Sequence, residues 1–364
     1  MMNLLIVTAH LRKGGPVDVI YNLCKEYKKY PEIHVKIATL RAESPNSKIN
    51  DFKKLGMEII QLNWSRLKCE IHPQKLTAKI QEIVNKEKID IINAHGYYAC
   101  VGCAALTGVK KISTLHNRAN EDYINVYGRI IGNYMLSHLY KALYQYNLNV
   151  TVAKNAAGFY QKIIPHVTYV NNGIDTDKFG LLEESKTNTL KEKLKLPYNK
   201  RILISTGRIE KEKRYEDLIT WFNHLPQKEF LALVIVGDGS RLEACKKLAE
   251  GNQNIYFTGR INNVAEYLQC SDYFISYSKS EGMSMALCEA ISSGLYPILS
   301  DIPSHHDAAD AIGGYFYKEI QQINMEEILS KKINKEELHQ YIVDNFSIFT
   351  MGNGYINLFQ QLIG

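Results

Sequence analysis

Two glutamates eight positions apart, Glu281 and Glu289, bound the stretch of this chain with the most chemistry in it, Ser280-Glu281-Gly282-Met283-Ser284-Met285-Ala286-Leu287-Cys288-Glu289. Ahead of it, Asp272-Tyr273-Phe274-Ile275-Ser276 reads as a buried strand, Ser278 to Gly282 as a loop, and Ser284 to Ser293 as a helix. Glu281 then stands at the mouth of a strand–helix turn, and Glu289 lies about a turn and a half inside the helix. Between them, Gly282, Met283, Ser284 and Met285 offer the free backbone N–H groups of a helix N-terminus, which attract phosphate. Anion-binding amides flanked by two acceptors for sugar hydroxyls are what a nucleotide-sugar site requires. The competing reading is structural: acidic residues near a helix start favour its dipole, and paired glutamates on helices often face water.

Other residues fit the same chemistry. Gly207-Arg208-Ile209-Glu210-Lys211-Glu212-Lys213 follows an apolar strand, and an Arg and a Lys five apart on one loop can clamp a diphosphate. In isolation such a loop is more readily a solvated charged turn. Gly14 and Gly15, in Lys13-Gly14-Gly15-Pro16 after the first strand, let backbone approach a ligand, or simply turn the chain. The same two readings hold for Gly237-Asp238-Gly239, and Thr258-Gly259-Arg260 ends a further strand. His95 and His116 end strands of the first half. No GxGxxG and no Walker lysine occurs, so the dinucleotide and P-loop readings lose ground.

The string SKSEGMSMALCEAISSGLYPILSD, from Ser278 to Asp301, resembles the signature of the family 4 retaining glycosyltransferases, the glycosyl transferases group 1. That family pattern is SxxEGxxxxxxEAxxxGxPxxxSD. The Arg208–Lys213 loop is similar to its GRxxxxKG, although Arg214 stands where glycine is usual, so Lys213 and Arg214 compete for the lysine's role. Gly237-Asp238-Gly239 resembles GxGP with Ser240 for proline, and Asn172-Gly173-Ile174-Asp175 resembles NGxD. Asp175-Thr176-Asp177 is formally a DxD, but inside an NGxD turn a capping role is favoured over metal. After Asp301 the chain departs from the family, with Ser304-His305-His306 in place of a glycine-rich loop.

The resemblance implies the GT-B fold: α/β, two facing doubly wound Rossmann-like domains with a deep interdomain cleft. It implies transfer of a sugar, with retention, from a nucleoside-diphosphate sugar (UDP foremost) to a glycan or lipid-linked acceptor. No metal or other cofactor is implied. Glu281, His116, Arg208 and Lys213 become the catalytic candidates. Gly14, Gly15, Arg208, Lys213, Gly237, Gly259, Arg260, Gly282, Met283, Ser284, Met285 and Glu289 become donor contacts, and His95 and Asn172 lie near the acceptor or sugar. Surface-polysaccharide assembly (capsule, O-antigen or lipopolysaccharide) is the usual employment of such enzymes. A nucleotide-sugar hydrolase or epimerase on the same scaffold, or a non-catalytic partner subunit, are the alternatives.

The elements that must position these residues alternate from end to end, short apolar strands with helical patterns, which is the mark of parallel α/β architecture. Strands are expected near 3–9, 33–39, 57–62, 89–94, 110–115, 148–152 and 167–170, then near 201–205, 230–236, 254–258, 272–276 and 295–299. A long helix is expected over about 123–145, a polar link over 183–195, and a helical tail over 335–364 anchored by Tyr341, Phe346, Tyr355 and Phe359. The implied division is 1–175, 176–345, and a C-terminal helix 346–364 returning to the first domain.

At 364 residues with 45% hydrophobic and 23% charged content, the chain has the composition of two ordinary soluble domains. The net charge of +6 suits anionic ligands and tolerates an acidic membrane surface, while the absence of a basic stripe or module argues against nucleic acid. Seven scattered cysteines point to reduced thiols in the cytoplasm, and Cys100–Cys103, a lone CxxC on an apolar helix, reads as core. The N-terminus reads as a strand rather than a signal peptide, so a soluble protein, or one peripheral to the membrane's inner face, is expected. The tyrosines of 123–146 beside Arg129, His138 and Lys141 suit either an interfacial face or a buried helix.

Overall fold

A computed structural model describes residues 1–364, the side chain of Glu121 excepted. The chain divides into two compact units, Met1–Gly173 with Ile348–Gly364, and Ile174–Ser347.

The first unit is built on seven strands: β1 (Met2–Thr8), β2 (Ile33–Arg41), β3 (Glu58–Trp64), β4 (Ile91–His95), β5 (Lys110–Leu115), β6 (Leu148–Thr151) and β7 (Val167–Tyr169). They pair in the order β3-β2-β1-β4-β5-β6-β7, parallel throughout. β1 and β4 are buried on both faces (Leu4, Leu5, Ile6, Val7; Ile91, Ile92), as a parallel sheet covered by helices on both sides demands. Strand order reverses between β1 and β4, whose register runs from Leu4↔Ile91 to Thr8↔His95. In doubly wound sheets the crevice at the carboxyl ends of such a pair is where ligands bind.

The second unit repeats the plan with β8 (Arg201–Thr206), β9 (Leu231–Val236), β10 (Ile255–Gly259), β11 (Tyr273–Ser276), β12 (Tyr296–Ser300) and β13 (Tyr315–Tyr317), in the order β10-β9-β8-β11-β12-β13. At its reversal, β8 and β11 pair only at Tyr273↔Leu203 and Phe274↔Ile204. Beyond those pairs the strands part, leaving Ser205, Thr206 and Ser276 beside a small cavity.

The C-terminal helix Ile348–Ile363 packs in the first unit, with Met351, Tyr355, Ile356 and Phe359 in its core. Tyr355 Oη lies 3.0 Å from Thr114 Oγ1, and its carboxyl-side neighbour Phe359 meets Tyr27 at 5.9 Å between ring centroids. Cys100 and Cys103 are wholly buried, and burial pushes the Cys100 thiol up to about 12.

Four elements depart from expectation. The long helix runs Ala119–Leu143 and is broken at Gly128, where φ 76° and ψ 171° leave helical space. Gly132 allows the two limbs to close, since a Cβ there would sit 2.9 Å from the Ile124 Cα. The segment expected as a link is a helix, Glu184–Lys193, with no buried residue and Lys or Glu at half of its positions, Glu184 at its start and Lys191 and Lys193 in its last turn as the helix dipole favours. β13 is only three residues long and carries too little pattern to be legible, and the tail is two helices separated at Ser347.

Candidate functional site

In the second unit, the loop after β11 brings Glu281 to the opening between β8 and β11. Glu281 is 10% exposed; its Oε1 accepts from Ser278 Oγ at 2.7 Å and pairs with Lys213 Nζ at 2.9 Å. Burial alone pushes this carboxyl up, but the Lys213 ammonium and the neighbouring His305 ring outweigh it and hold the group far below the usual carboxylate range. Glu281 is therefore an anion at any physiological pH. Its counter-ion comes from the loop after β8, so the pair spans the reversal point of the sheet.

Lys213 and Arg214 take opposite directions. Arg214 caps the Tyr215–Asn223 helix in the left-handed region (φ 54°), its guanidinium 3.6 Å from the Tyr277 ring centroid and its Nε donating to Asp217 at 2.6 Å. Lys213 alone reaches Glu281. Arg214 instead borders a cavity of about 510 Å³ with Trp221, Tyr277 and Glu319, which contains neither Lys213 nor Glu281.

The glycines of the second unit divide by role. A Cβ on Gly237 would overlap the Gly207 carbonyl, and one on Gly239 the Ile209 carbonyl, so both exist to let the loops after β8 and β9 touch. Glu210 secures that contact by accepting from the Ser240 amide at 3.2 Å. Gly259 (φ 66°) has open space around it, and Arg260 and Arg208 are both exposed on their loops. The helix after Glu281 spans Met285–Ser292, with Ser284 buried at its start and Glu289 half-buried within it. The Met283 and Met285 side chains pack on the core, and the Met285 amide donates to the Met283 carbonyl at 3.0 Å, so it is not among the free amides. Gly282 precedes them in the half-buried part of the loop.

His305 was not singled out by the sequence. It is wholly buried on the Pro303–Ala309 helix, donates from Nδ1 to the Ser300 carbonyl at 2.9 Å, and turns Nε2 toward Glu281 Oε1 at 3.6 Å. With Nδ1 committed to a carbonyl, the face toward Glu281 is a lone pair in the neutral ring and an N–H in the cation. The signal was the departure at Ser304-His305-His306. Its second histidine is a brace: His306 stacks on Phe316 at 4.1 Å and bridges Asp301 and Asp310 at 2.7 and 2.6 Å.

The first unit collects the remaining candidates. His95 Nδ1 and His116 Nε2 are 3.0 Å apart. Burial pushes both rings down, His116 to about 4 and His95 well below its ordinary value, so at neutral pH they are an uncharged pair sharing one hydrogen bond. They border a cavity of about 430 Å³ at the carboxyl ends of β1, β4 and β5, with Gly14 and Arg41 on one side and Tyr97, Tyr123 and Tyr127 on the other. Gly14 and Gly15 have nothing within 4 Å of a Cβ position, so packing does not demand them. Asn172 is buried where the first unit ends, its amide donating to the Val152 carbonyl at 3.2 Å. Asp175 caps its own turn, Oδ1 accepting from the Lys178 amide at 3.2 Å.

Comparison with known proteins places the chain by family and fold. The family described as Glycosyltransferase Family 4 matches residues 13–178, and that described as Glycosyl transferases group 1 matches residues 186–346. The chain belongs to the family 4 glycosyltransferases, with two Rossmann-like domains of the GT-B class. An uncharacterized glycosyltransferase of Methanocaldococcus jannaschii is 30% identical over 217 residues, which is 54% of this chain and 53% of that protein. The O-antigen biosynthesis glycosyltransferase WclY of Escherichia coli is 22% identical over 99% of each chain. Among solved structures, Anabaena HepE in complex with UDP and glucose has the same fold, with a TM-score of 0.79 at 14% identity over 99% of this chain and 100% of that one. In the first of the curated relatives the chain spans about half of their length.

Proposed function

We propose that this protein transfers a sugar from a nucleoside-diphosphate sugar, a UDP-sugar foremost, to a saccharide or lipid-linked acceptor, with retention at the anomeric carbon. The observation that carries the reading is the Lys213–Glu281 pair at the parting of β8 and β11, beside the start of the Met285–Ser292 helix. Breaking the bond from the anomeric carbon to a phosphate oxygen puts negative charge on the diphosphate and makes the ring oxocarbenium-like. Lys213, exposed Arg208 and the amides of Gly282, Met283 and Ser284 supply positive potential to the leaving group without a metal. Glu281, held as an anion, accepts from the donor-sugar hydroxyls near the reacting centre, and Glu289 accepts from the ribose.

Lys213 changes partner in this scheme. Turning the ammonium toward a diphosphate leaves Glu281 with Ser278 and His305, and an N–H at His305 Nε2 would keep the carboxylate compensated. The first unit, with its neutral histidines, receives the acceptor. The sequence likeness to WclY supports work in surface-polysaccharide assembly, and HepE, which binds UDP and glucose, supports the choice of UDP. The place of action is the cytoplasm, with peripheral contact at the membrane.

A melting-point screen against UDP, GDP, ADP, CMP and dTDP and their sugars, with Glu289→Ala as control, tests the reading. A ligand at about 100 times its Kd adds ~2.7 kcal/mol, a rise of a few degrees. Selective stabilisation by UDP that weakens in the variant is expected. A wild type that responds to no nucleotide would remove the donor assignment, and a product of inverted configuration would remove retention.

A further inference from the structure

We propose that the broken Ala119–Leu143 helix is a docking surface for a bilayer of acidic lipids, and that the acceptor is an amphiphile whose saccharide enters the cavity of the first unit. This deepens the acceptor half of the reading above and rests on it.

The break at Gly128 makes a blunt tip of what would otherwise be a straight helix. Ile130 is 89% exposed, Val126 69% and Ile131 55%, a concentration of bare aliphatic surface that the first unit's core leaves unused. The tip is not slack: Gly132 seats one limb directly on the backbone of the other at Ile124. A second apolar pair, Leu67 and Ile71, 67% and 58% exposed, lies on the helix Arg66–Ile71. That helix is tied to the tip by Arg66, whose guanidinium lies 4.8 Å from the Tyr127 ring centroid while Nε donates to Tyr98 Oη at 3.0 Å.

Charge selects the partner. None of the chain's 38 acidic residues falls between Asp122 and Asp175, while Arg129, Lys141, Lys154 and Lys162 do. On the neighbouring helix Arg66 and Lys68 are exposed, and the one acid, Glu70, is half-buried and accepts from Tyr97 Oη at 3.3 Å. Bare aliphatic residues with Arg129 between them, Arg66 and Lys68 on the tied helix, and no acid from Tyr123 to Leu143 match a surface of acidic headgroups over hydrocarbon.

Continuity with the cavity supplies the reason for the arrangement. Tyr123, Tyr127, Met135 and Leu139 of the same helix form one wall of the 430 Å³ cavity, and Arg12, Lys13 and Arg41 stand on the opposite side. One helix thus shows tyrosine edges, which suit sugar hydroxyls and ring faces, to the cavity, and isoleucines to the outside. An acceptor with a polar head and an apolar tail matches both faces at once, and the cations across the cavity suit an acidic linkage between them.

The test is co-sedimentation of the full chain with phosphatidylcholine vesicles, with and without phosphatidylglycerol, using wild type, Ile130→Asp/Ile131→Asp, and Ile130→Leu. The wild type and Ile130→Leu are expected to pellet with the acidic vesicles in a salt-sensitive manner, and the double aspartate variant to lose at least ~10-fold in partitioning. Melting curves with and without UDP check that all three are folded. A wild type that stays in the supernatant with acidic vesicles, or an aspartate variant that binds as well as wild type, overturns the proposal. So does a lipid-free wild-type dimer that the aspartate variant converts to monomer, because the surface then belongs to a second copy. A failed vesicle experiment with an intact UDP shift discards only the docking surface; a missing UDP shift discards the donor reading and leaves vesicle binding to be judged separately.

Discussion

The two sheets of this protein reverse their strand order in the same way and fill the resulting crevices in opposite ways. At β8 and β11 the strands part and the gap holds an ion pair, Lys213–Glu281, with a buried imidazole behind it. At β1 and β4 the strands stay paired to their ends, and above them lies an open cavity over two uncharged histidines. The charge of the second crevice is buried between the strands, whereas the buried histidines of the first are neutral and its cations, Arg12, Lys13 and Arg41, stand on the cavity's loops. The topology supplies two equivalent places, and the loop sequences decide what each can bind.

The largest effect should come from breaking the charged crevice. Lys213→Ala removes a cation from the leaving group and is expected to cost ~100- to 1000-fold in sugar transfer. It also leaves Glu281 buried without its ammonium, at a cost of ~3–5 kcal/mol to folding. Lys213→Ala/Glu281→Gln should regain most of that stability while transfer stays lost, as read by thermal unfolding beside a transfer assay. Equal instability in the single and double variants would mean that the pair is not what compensates Glu281.

The pH at which each unit begins to fail sharpens the contrast. His116 is pushed down from 6.5 to about 4, so the folded first unit binds fewer protons than the unfolded chain in that window. Its contribution is whole above pH ~6.5 and shrinks as pH falls toward 4, by ~2–3 kcal/mol, with His95 adding in the same direction. Glu281 is lowered from 4.5, so its contribution is whole above pH ~4.5 and fades only below that. Calorimetry at pH 7 and pH 5 should therefore show the first unit's transition falling, while the second's holds or rises, because His306 is raised between Asp301 and Asp310 and gains its proton in that window. His116→Gln should reduce the fall.

What could be read from the sequence, and what could not, follows the range of the forces involved. Twelve of the thirteen strands stand out as short apolar runs, and the stretch from Ser278 to Asp301 announces its loop and helix, because these features are local. His305 escaped, since its meaning lies in a 3.6 Å approach to a residue twenty-four positions away. The Gly128 break escaped for a related reason: periodicity continues across it, and only the fit of Gly132 on Ile124 makes the fold-back visible. The opposite directions of Lys213 and Arg214 cannot be read from neighbours in sequence, because they turn on one left-handed residue, Arg214.

Glycines separate packing from binding at the two crevices. Gly237→Ala would drive a methyl into the Gly207 carbonyl and should cost ~1–3 kcal/mol, with any loss of transfer following from instability. Gly15→Ala meets nothing within 4 Å at the start of a helix and should alter stability by less than ~0.5 kcal/mol. A loss of transfer in Gly15→Ala at unchanged melting temperature would mark that loop as a place where ligand approaches backbone. Unchanged transfer would make it a turn and nothing more.

A substitution with a similarly small expected effect discriminates best within the basic loop. Arg214→Gly removes a left-handed non-glycine conformation that costs ~1–2 kcal/mol. It also removes a cation–π contact and an exposed ion pair, together contributing a similar amount. Stability should thus stay within ~1 kcal/mol of wild type, and transfer within a few-fold, because Arg214 faces Tyr277 and Asp217 rather than Glu281. If transfer instead falls as far as in Lys213→Ala, Arg214 must swing toward the diphosphate when donor binds. The αL turn would then be a resting position of the loop, with Lys213 held by Glu281 until the phosphate arrives.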